Sequence, residues 1–254
     1  MFSNPGNAGN PLHRLPVFQK LLQPSPLHTP SDVIDGLAII AVAPRSFWKS
    51  SLRKPTERGI LADYLHVLQY TLDQFPSSQI MVYGHSLGGA AAVCLLSQLN
   101  DSVNQGPPER MRYHDPRYKN IRGLVLENPF ASIPGMVRAL YPEQWAPYRH
   151  LAPLAFDKWD AVAAMRRTTT SLGTGMESES VLRRLTGDMM VLMSEKDEVV
   201  PPEMGAELFE VSRSGSGDGM GRKVVIKGAL HDNAWQLRQW ETEMGRYTTE
   251  MDVK

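Results

Sequence analysis

A chain of 254 residues, 42% of them hydrophobic, is long enough to bury one substantial core without a metal or disulfide staple. Its 27 basic and 27 acidic residues cancel, which excludes a disordered polyelectrolyte and gives the chain as a whole no electrostatic footprint for nucleic acid. The single cysteine, Cys94, excludes an internal disulfide framework and a cysteine-based zinc site.

The longest nearly unbroken apolar run, Gly36 to Pro44, is about half the roughly 18 residues that a membrane-spanning helix needs. Met1 is followed by a polar, Asn- and Gly-rich stretch rather than by the apolar core of a signal peptide. The expectation is a soluble chain of a reducing compartment, cytoplasmic or held at a membrane, with no anchor visible in its own sequence.

In chain order, Leu37–Ala43 reads as a buried strand. Ile60, Leu61, Tyr64, Leu65, Leu68 and Leu72 then recur at three- and four-residue intervals, which predicts an amphipathic helix. Gln79–Tyr83 is the next strand, and the small-residue run Ala90–Leu96 a buried helix. Gly123–Leu126, Met189–Met193 and Lys223–Ile226 are further strands; Glu203–Val211 is a helix between the last two, and a closing helix starts near Asn233. Strands apolar throughout, alternating with helices, predict an α/β domain with a mostly parallel sheet and helices on both faces. One domain accounts for residues 1–254. Within it, 101–120 and 212–221 are polar enough for surface loops. The Pro- and aromatic-rich stretch in 131–180 reads as a cap-like insertion, with ordinary core helices as the alternative.

The hexapeptide Gly84-His85-Ser86-Leu87-Gly88-Gly89 sits directly between a predicted strand and a predicted helix. A turn that sharp strains the backbone at Ser86, and glycines on either side relieve the crowding. The hydroxyl is thereby held clear of the sheet at a helix N-terminus, where the dipole favours developing negative charge. A Gly-rich turn with an incidental serine is the bland reading; the flanking strand and helix favour a nucleophile.

A serine hydroxyl needs a base, and the base an orienting acid. On this architecture they follow in the order Ser, acid, His, on loops after later strands. Asp197 lies just past the Met189–Met193 strand, with Glu195 and Glu198 as rivals, and His231 follows the Lys223–Ile226 strand. His13, His28 and His66 precede the serine, His114 and His150 fall in loop and cap, and His85 adjoins Ser86 but points elsewhere. Asp232 reads as a helix N-cap. The backbone N–H of Leu87 is one oxyanion donor; a second is expected from the turn-forming stretch Asn4–Asn10.

Several motifs in order resemble one family. They are Gly6-Asn7-Ala8-Gly9-Asn10 with His13-Arg14-Leu15-Pro16, the Gly84–Gly89 elbow, and Glu127-Asn128-Pro129-Phe130 with Ser132-Ile133-Pro134. Asp197 with Pro201-Pro202, and His231-Asp232-Asn233 with Trp235, complete the set. The chain resembles the alpha/beta-hydrolase domain-containing proteins of the thirteen and seventeen type and their fungal bud-emergence relatives. The resemblance implies an alpha/beta-hydrolase fold, a Ser86–Asp197–His231 triad and an oxyanion hole from the backbone of Asn7 and Leu87. It also implies an acyl ester or thioester as substrate, palmitoyl-protein among the options, since seventeen-type relatives cleave such thioesters.

Two departures stand out. The family's Arg-Gly-Tyr-Gly-Lys-Ser turn reads Arg45-Ser46-Phe47-Trp48-Lys49-Ser50 here, so a backbone with positive φ at the two glycine positions is not expected. Where the family's oxyanion segment begins His-Gly, Pro5 stands in the histidine's place. The chain therefore reads as N-terminally truncated, its first strands missing. The strands at Leu37–Ala43 and Ile80–Tyr83 would then face each other across a gap of roughly 10 Å or pair directly.

Three readings follow: a serine esterase or thioesterase; a catalytically silent or truncated hydrolase-like scaffold; and a serine peptidase. The first calls for no cofactor and no metal. Its partners are a small-molecule or acylated-protein substrate, no nucleic acid, and a membrane surface as a place of encounter.

Overall fold

The computed structural model describes residues 2–4, 10–23, 36–100, 113–143, 145, 154–169, 180–214 and 221–252. The strands are β1 (Phe2–Asn4), β2 (Ile40–Ala41), β3 (Ile80–His85), β4 (Leu99–Asn100), β5 (Tyr113–His114), β6 (Ile121–Glu127), β7 (Met190–Ser194) and β8 (Arg222–Ile226). Six of them form one parallel sheet in the order β2-β1-β3-β6-β7-β8, while β4 and β5 pair separately. The helices are α1 (Leu15–Leu22), α2 (Glu57–Gln74), α3 (Leu87–Leu96), α4 (Ile133–Leu140), α5 (Ala161–Thr169), α6 (Val181–Thr186), α7 (Pro202–Arg213) and α8 (Arg238–Asp252).

The central strands are apolar on both faces because both faces are covered. Ile80 and Val82 of β3 turn to one layer with α2, α3, α5, α6 and α7; Met81 and Tyr83 turn to the other with α1 and α8. Along α2, Ile60, Leu61, Tyr64, Leu65, Leu68 and Leu72 are all buried, as their spacing predicts. Each fully buried leucine contributes about 2 kcal/mol of transfer free energy. The Thr56 hydroxyl starts this helix by accepting the Gly59 N–H at 3.2 Å. In α3 nearly every side chain is buried, and alanines and glycines let it lie close against the sheet. Cys94 packs there, and burial raises its thiol pKa far above the usual range, so it is a neutral packing group.

The expected central gap is filled. Phe2–Asn4 form a parallel strand between β2 and β3, with Phe2 opposite both Ile40 and Val82. Three residues suffice because β2 itself pairs over only two, not over the seven of Leu37–Ala43. As an edge strand β2 is half-buried, which corrects its reading as a fully buried strand. The turn at Arg45–Ser50 is a second correction: Ser46 and Trp48 do adopt positive φ, 64° and 47°. Ser46 is held there by its N–H to the Ser51 carbonyl (2.9 Å) and its hydroxyl to the Arg53 carbonyl.

Part of the stretch read as a surface loop at 101–120 folds in: Tyr113–His114 form β5, and Tyr118 is buried. From 131–180, Trp159, Ala161, Ala164 and Met165 join the main core, whereas α4 buries none of its residues. Among the described residues no helix is long and apolar enough to cross a membrane.

Candidate active site

In an open parallel sheet, functional groups gather beyond the carboxyl ends of the strands. There β3 ends at His85, and Ser86 follows with φ 54° and ψ −123°, in a region side chains avoid, before α3 begins at Leu87. Ser86 keeps this conformation because both its neighbours are fixed. Its N–H donates to the Glu127 carbonyl at the end of β6 (2.9 Å), and its carbonyl accepts from Gly89 (2.9 Å). A Cβ on Gly84 would lie 2.5 Å from the Gly88 carbonyl oxygen, and one on Gly89 would lie 2.8 Å from Pro129 Cβ. The glycines permit the elbow by their size.

The Asp197 carboxylate meets the His231 ring: Nδ1 lies 2.8 Å from Oδ2 and 3.0 Å from Oδ1. Asp197 Oδ1 also accepts from the N–H groups of Val199 (2.8 Å) and Val200 (2.7 Å). Three donors converge on a carboxylate only 1% exposed, so it is held as an oriented acceptor. The rivals are otherwise engaged. Glu198 Oε2 accepts the His231 backbone N–H (3.0 Å), and Glu195 Oε2 accepts that of Gly228 (2.8 Å). Both acids brace the histidine loop rather than its ring.

His85, set aside in the sequence as pointing elsewhere, points at His231. Its Nε2–H donates to the His231 carbonyl (3.0 Å), and the two rings lie 4.7 Å apart at 56°. Ser86 and His231 are thus joined through the residue next to the serine. Burial, then the Arg14 guanidinium and His231, push the His85 pKa well below its ordinary value. The ring is therefore neutral, and its 3.6 Å approach to Asp232 is not an ion pair. Asp232 pairs instead with Arg14 (3.3 Å), and the cap position before the next helical turn belongs to Asn233, which corrects the N-cap reading.

Sequence reasoning gave Asn128 no role beyond its place in a motif. At φ 46°, in a conformation that asparagine tolerates better than most residues, it joins three strands' ends. Its Nδ2 donates to Ser194 Oγ (2.9 Å) and to the His231 carbonyl (2.8 Å), and its Oδ1 accepts the Ser194 N–H (2.7 Å). An Asn directly after a strand ending in a buried Glu was the available signal. That Glu127 carboxylate accepts the Tyr83 hydroxyl and Trp240 Nε1–H (2.9 Å), tying the strand end to α8.

Leu87 N–H belongs to the first turn of α3, where no carbonyl of the same helix lies behind it. Asn7, the other expected oxyanion donor, lies outside the described residues. His85, His231 and Asp232 offer donor atoms within 4.8 Å of one another, but His85 Nε2 is committed to a carbonyl and Asp232 to Arg14. A cleft of about 290 Å³ between α4, α5 and α7 is lined by Arg138, Asp160, Arg166 and Glu207 among others, and by none of Ser86, Asp197 or His231.

Chemically, a strained serine at a helix N-terminus and a carboxylate-clamped imidazole, linked through His85, are the groups that acyl transfer uses. Comparisons with known proteins agree with this architecture. Lysophosphatidylserine lipase ABHD12 of Bos taurus is 25% identical over 165 residues, covering 65% of this chain and 35% of that protein. Protein bem46 of Schizosaccharomyces pombe is 24% identical over 205 residues, covering 80% of this chain and 52% of its own. The chain thus spans about a third to a half of the curated relatives it matches. Among solved structures, an esterase of Pyrococcus furiosus superposes with a TM-score of 0.61 at 16% identity, over 98% of this chain and 81% of the esterase. Est1E of Butyrivibrio proteoclasticus, solved with ferulic acid bound, gives 0.63 at 16% identity, over 100% and 89%. The model of the alpha/beta hydrolase family matches residues 18–240, and the chain belongs to that family.

Proposed function

We propose that the chain is a serine hydrolase that cleaves a carboxylic ester or thioester of an acyl chain. The observation that carries this reading is the Asp197 carboxylate clamped on His231 Nδ1, which leaves Nε2 as the ring's other nitrogen to take a proton. In the proposed cycle Ser86 Oγ attacks the acyl carbonyl while His231 Nε2 accepts its proton. The tetrahedral oxyanion is held by Leu87 N–H and by the chain start, for which the family resemblance names Asn7. Collapse expels the alcohol or thiol, protonated by His231, and leaves an acyl-Ser86 ester. Water, deprotonated by His231, then releases the acid and restores the serine. Asp197 keeps the imidazole in the tautomer that this requires.

The bovine relative is a lysophosphatidylserine lipase, which makes a monoacyl phospholipid the first natural ester to try, ahead of acylated proteins. The test is labelling by a fluorophosphonate probe together with turnover of p-nitrophenyl acyl esters, for the chain and its Ser86→Ala variant. Labelling and turnover that both vanish in the variant support the reading. Equal turnover by the variant sinks it, and no labelling of the folded parent favours the silent scaffold.

A further inference from the structure

In a chain of zero net charge, the loop leaving β2 gathers basic and apolar side chains on one exposed face. Between positions 48 and 58 it carries Trp48, Lys49, Leu52, Arg53, Lys54 and Arg58, all exposed. Leu52 is 92% exposed and Trp48 48%. Large apolar side chains in solvent next to lysine and arginine cost hydration without any packing return, so their display calls for a partner.

The start of the loop that shows them is anchored. Phe47 packs inward against the core, and Arg45 is fixed to Asp63 of α2 through Nε (2.9 Å) and Nη2 (2.7 Å). Directly after these anchors Trp48 is held at φ 47°, a strained conformation for an aromatic residue, and Lys49 Nζ lies 5.7 Å from its ring centre.

A second strip adjoins it. Lys158 and Trp159 donate their N–H groups to Glu57 Oε2 (2.9 Å each), and Glu57 donates its own to Asp157 Oδ1 (2.8 Å). These bonds hold residues 157–159 at the start of α2. Just before them in the chain Leu154 (70% exposed) and Phe156 (fully exposed) stand in solvent, as does Lys158. Hydrogen bonds also occupy the local carboxylates: Glu57 and Asp157 serve backbone donors and Asp63 serves Arg45. With Arg45 paired to Asp63, five exposed basic residues (Lys49, Arg53, Lys54, Arg58 and Lys158) stand against the carboxylates of Glu57 and Asp157, so the face keeps an excess of positive charge.

We infer that this face, Trp48–Arg58 with Leu154–Lys158, docks the protein on an anionic bilayer. Apolar tips interleaved with cations fit the boundary between acyl chains and negative headgroups, where each element finds its own environment. A nucleic acid would use the cations and leave Leu52, Leu154 and Phe156 in water. The orientation is consistent: because every strand of the main sheet is parallel, the loop after β2 opens at the same edge as Ser86, Asp197 and His231. A docked chain would turn its candidate site toward the lipid. The inference does not depend on hydrolysis.

The test is flotation of the folded chain with vesicles of phosphatidylcholine alone or with about 30% phosphatidylserine, at low salt and at roughly 0.5 M. Binding should require the anionic lipid and fall with salt. The Lys49→Glu/Arg53→Glu/Lys54→Glu variant should lose at least about 100-fold in partitioning, at roughly fivefold per cation removed, with the added negative charges deepening the loss. Leu52→Ser/Phe156→Ser should lose binding at unchanged charge. Ser86→Ala should float like the parent, which separates this inference from the hydrolase reading. Circular dichroism melts establish that each variant folds. Failure to bind anionic vesicles, binding indifferent to lipid charge, or variants that float like the parent would each overturn the inference. So would binding of a duplex oligonucleotide that the same variants abolish while vesicles are ignored.

Discussion

His85 donates its Nε2–H to the carbonyl oxygen of His231 across 3.0 Å, so the residue before the candidate nucleophile grips the backbone of the candidate base. The bond spans 146 residues of chain and fixes the histidine loop against the strand that ends in the elbow. Removing it should misplace the imidazole more than it weakens substrate binding. His85→Ala is expected to lower kcat for a p-nitrophenyl ester about 10- to 100-fold with little change in KM. His85→Gln, which can offer an N–H near the same place, should recover part of the loss. Equal kcat in all three proteins would show that His85 only fills space.

The same burial gives the fold an acid-sensitive element. His85 has its pKa pushed well below the ordinary value of about 6.5, chiefly by burial, so the folded state stabilises the neutral ring. Below that ordinary value the unfolded chain takes up a proton that the folded chain refuses. Stability is therefore full above pH of about 6.5 and falls as the pH drops through it, by at most about 1.4 kcal/mol per pH unit from this one group. Melting temperatures followed from pH 8 down to pH 5 should show a shallower acid limb for His85→Gln than for the parent. Parallel limbs would mean that another group governs the loss.

Asp197 gathers three donors, and only one of them is the imidazole. Replacing it by Asn keeps the size but lets the amide present donors where acceptors are needed, and the ring can then settle in the wrong tautomer. Asp197→Asn is expected to reduce kcat by on the order of 10³-fold or more, with a cooperative melt retained. Glu198→Gln should retain most of the turnover, since its side chain meets the backbone of His231 rather than the ring. A larger loss in Glu198→Gln than in Asp197→Asn would exchange their roles.

Ser86, Asp197 and His231 could be singled out in the sequence because each comes after a strand and the elbow carries its own glycine signature, although the strand before His231, Arg222–Ile226, is only partly buried. What it hid was held by contacts between distant positions. Arg14 and Asp232, 218 residues apart, meet beside His85, and no local pattern announces the pair. Phe2–Asn4 is too short for a period-2 signal, and it forms a strand only because β2 and β3 offer edges on either side. The positive φ of Ser46 and Trp48 was equally hidden, because the turn's own hydrogen bonds supply what glycine would otherwise provide.

Asn128 was the most consequential of the residues left without a role, and its backbone and side chain can be tested apart. Asn128→Ala removes three side-chain hydrogen bonds and leaves a β-carbon at φ 46°, for an expected loss of about 3 kcal/mol. Asn128→Gly removes the same bonds but accepts the backbone, so about 1 kcal/mol should return. Both variants should lose turnover, because both release the His231 carbonyl. Urea denaturation and ester kinetics read the two effects. If Asn128→Gly matched the parent in turnover, the side chain would have no part in positioning His231.

Gly84 gives the sharpest distinction between a glycine needed for space and one needed for its backbone. Gly84 has no positive φ, yet an added Cβ would meet the Gly88 carbonyl oxygen at 2.5 Å and Gly89 Cα at 2.7 Å. Those atoms belong to the first turn of α3, which the Ser86 conformation locks in place, so neither side can yield cheaply. Gly228 is the converse case, with φ 74° and nothing within 4 Å of an added Cβ. Gly84→Ala is therefore expected to cost about 3 kcal/mol and to slow fluorophosphonate labelling, since relief must come from moving the elbow. Gly228→Ala should cost only about 1 kcal/mol, from backbone strain alone, because its neighbourhood is open. Urea midpoints for the two variants decide the matter. A Gly84→Ala protein that unfolds at the parent's midpoint and labels at the parent's rate would mean that the strand and helix are less tightly joined at Ser86 than the packing here requires.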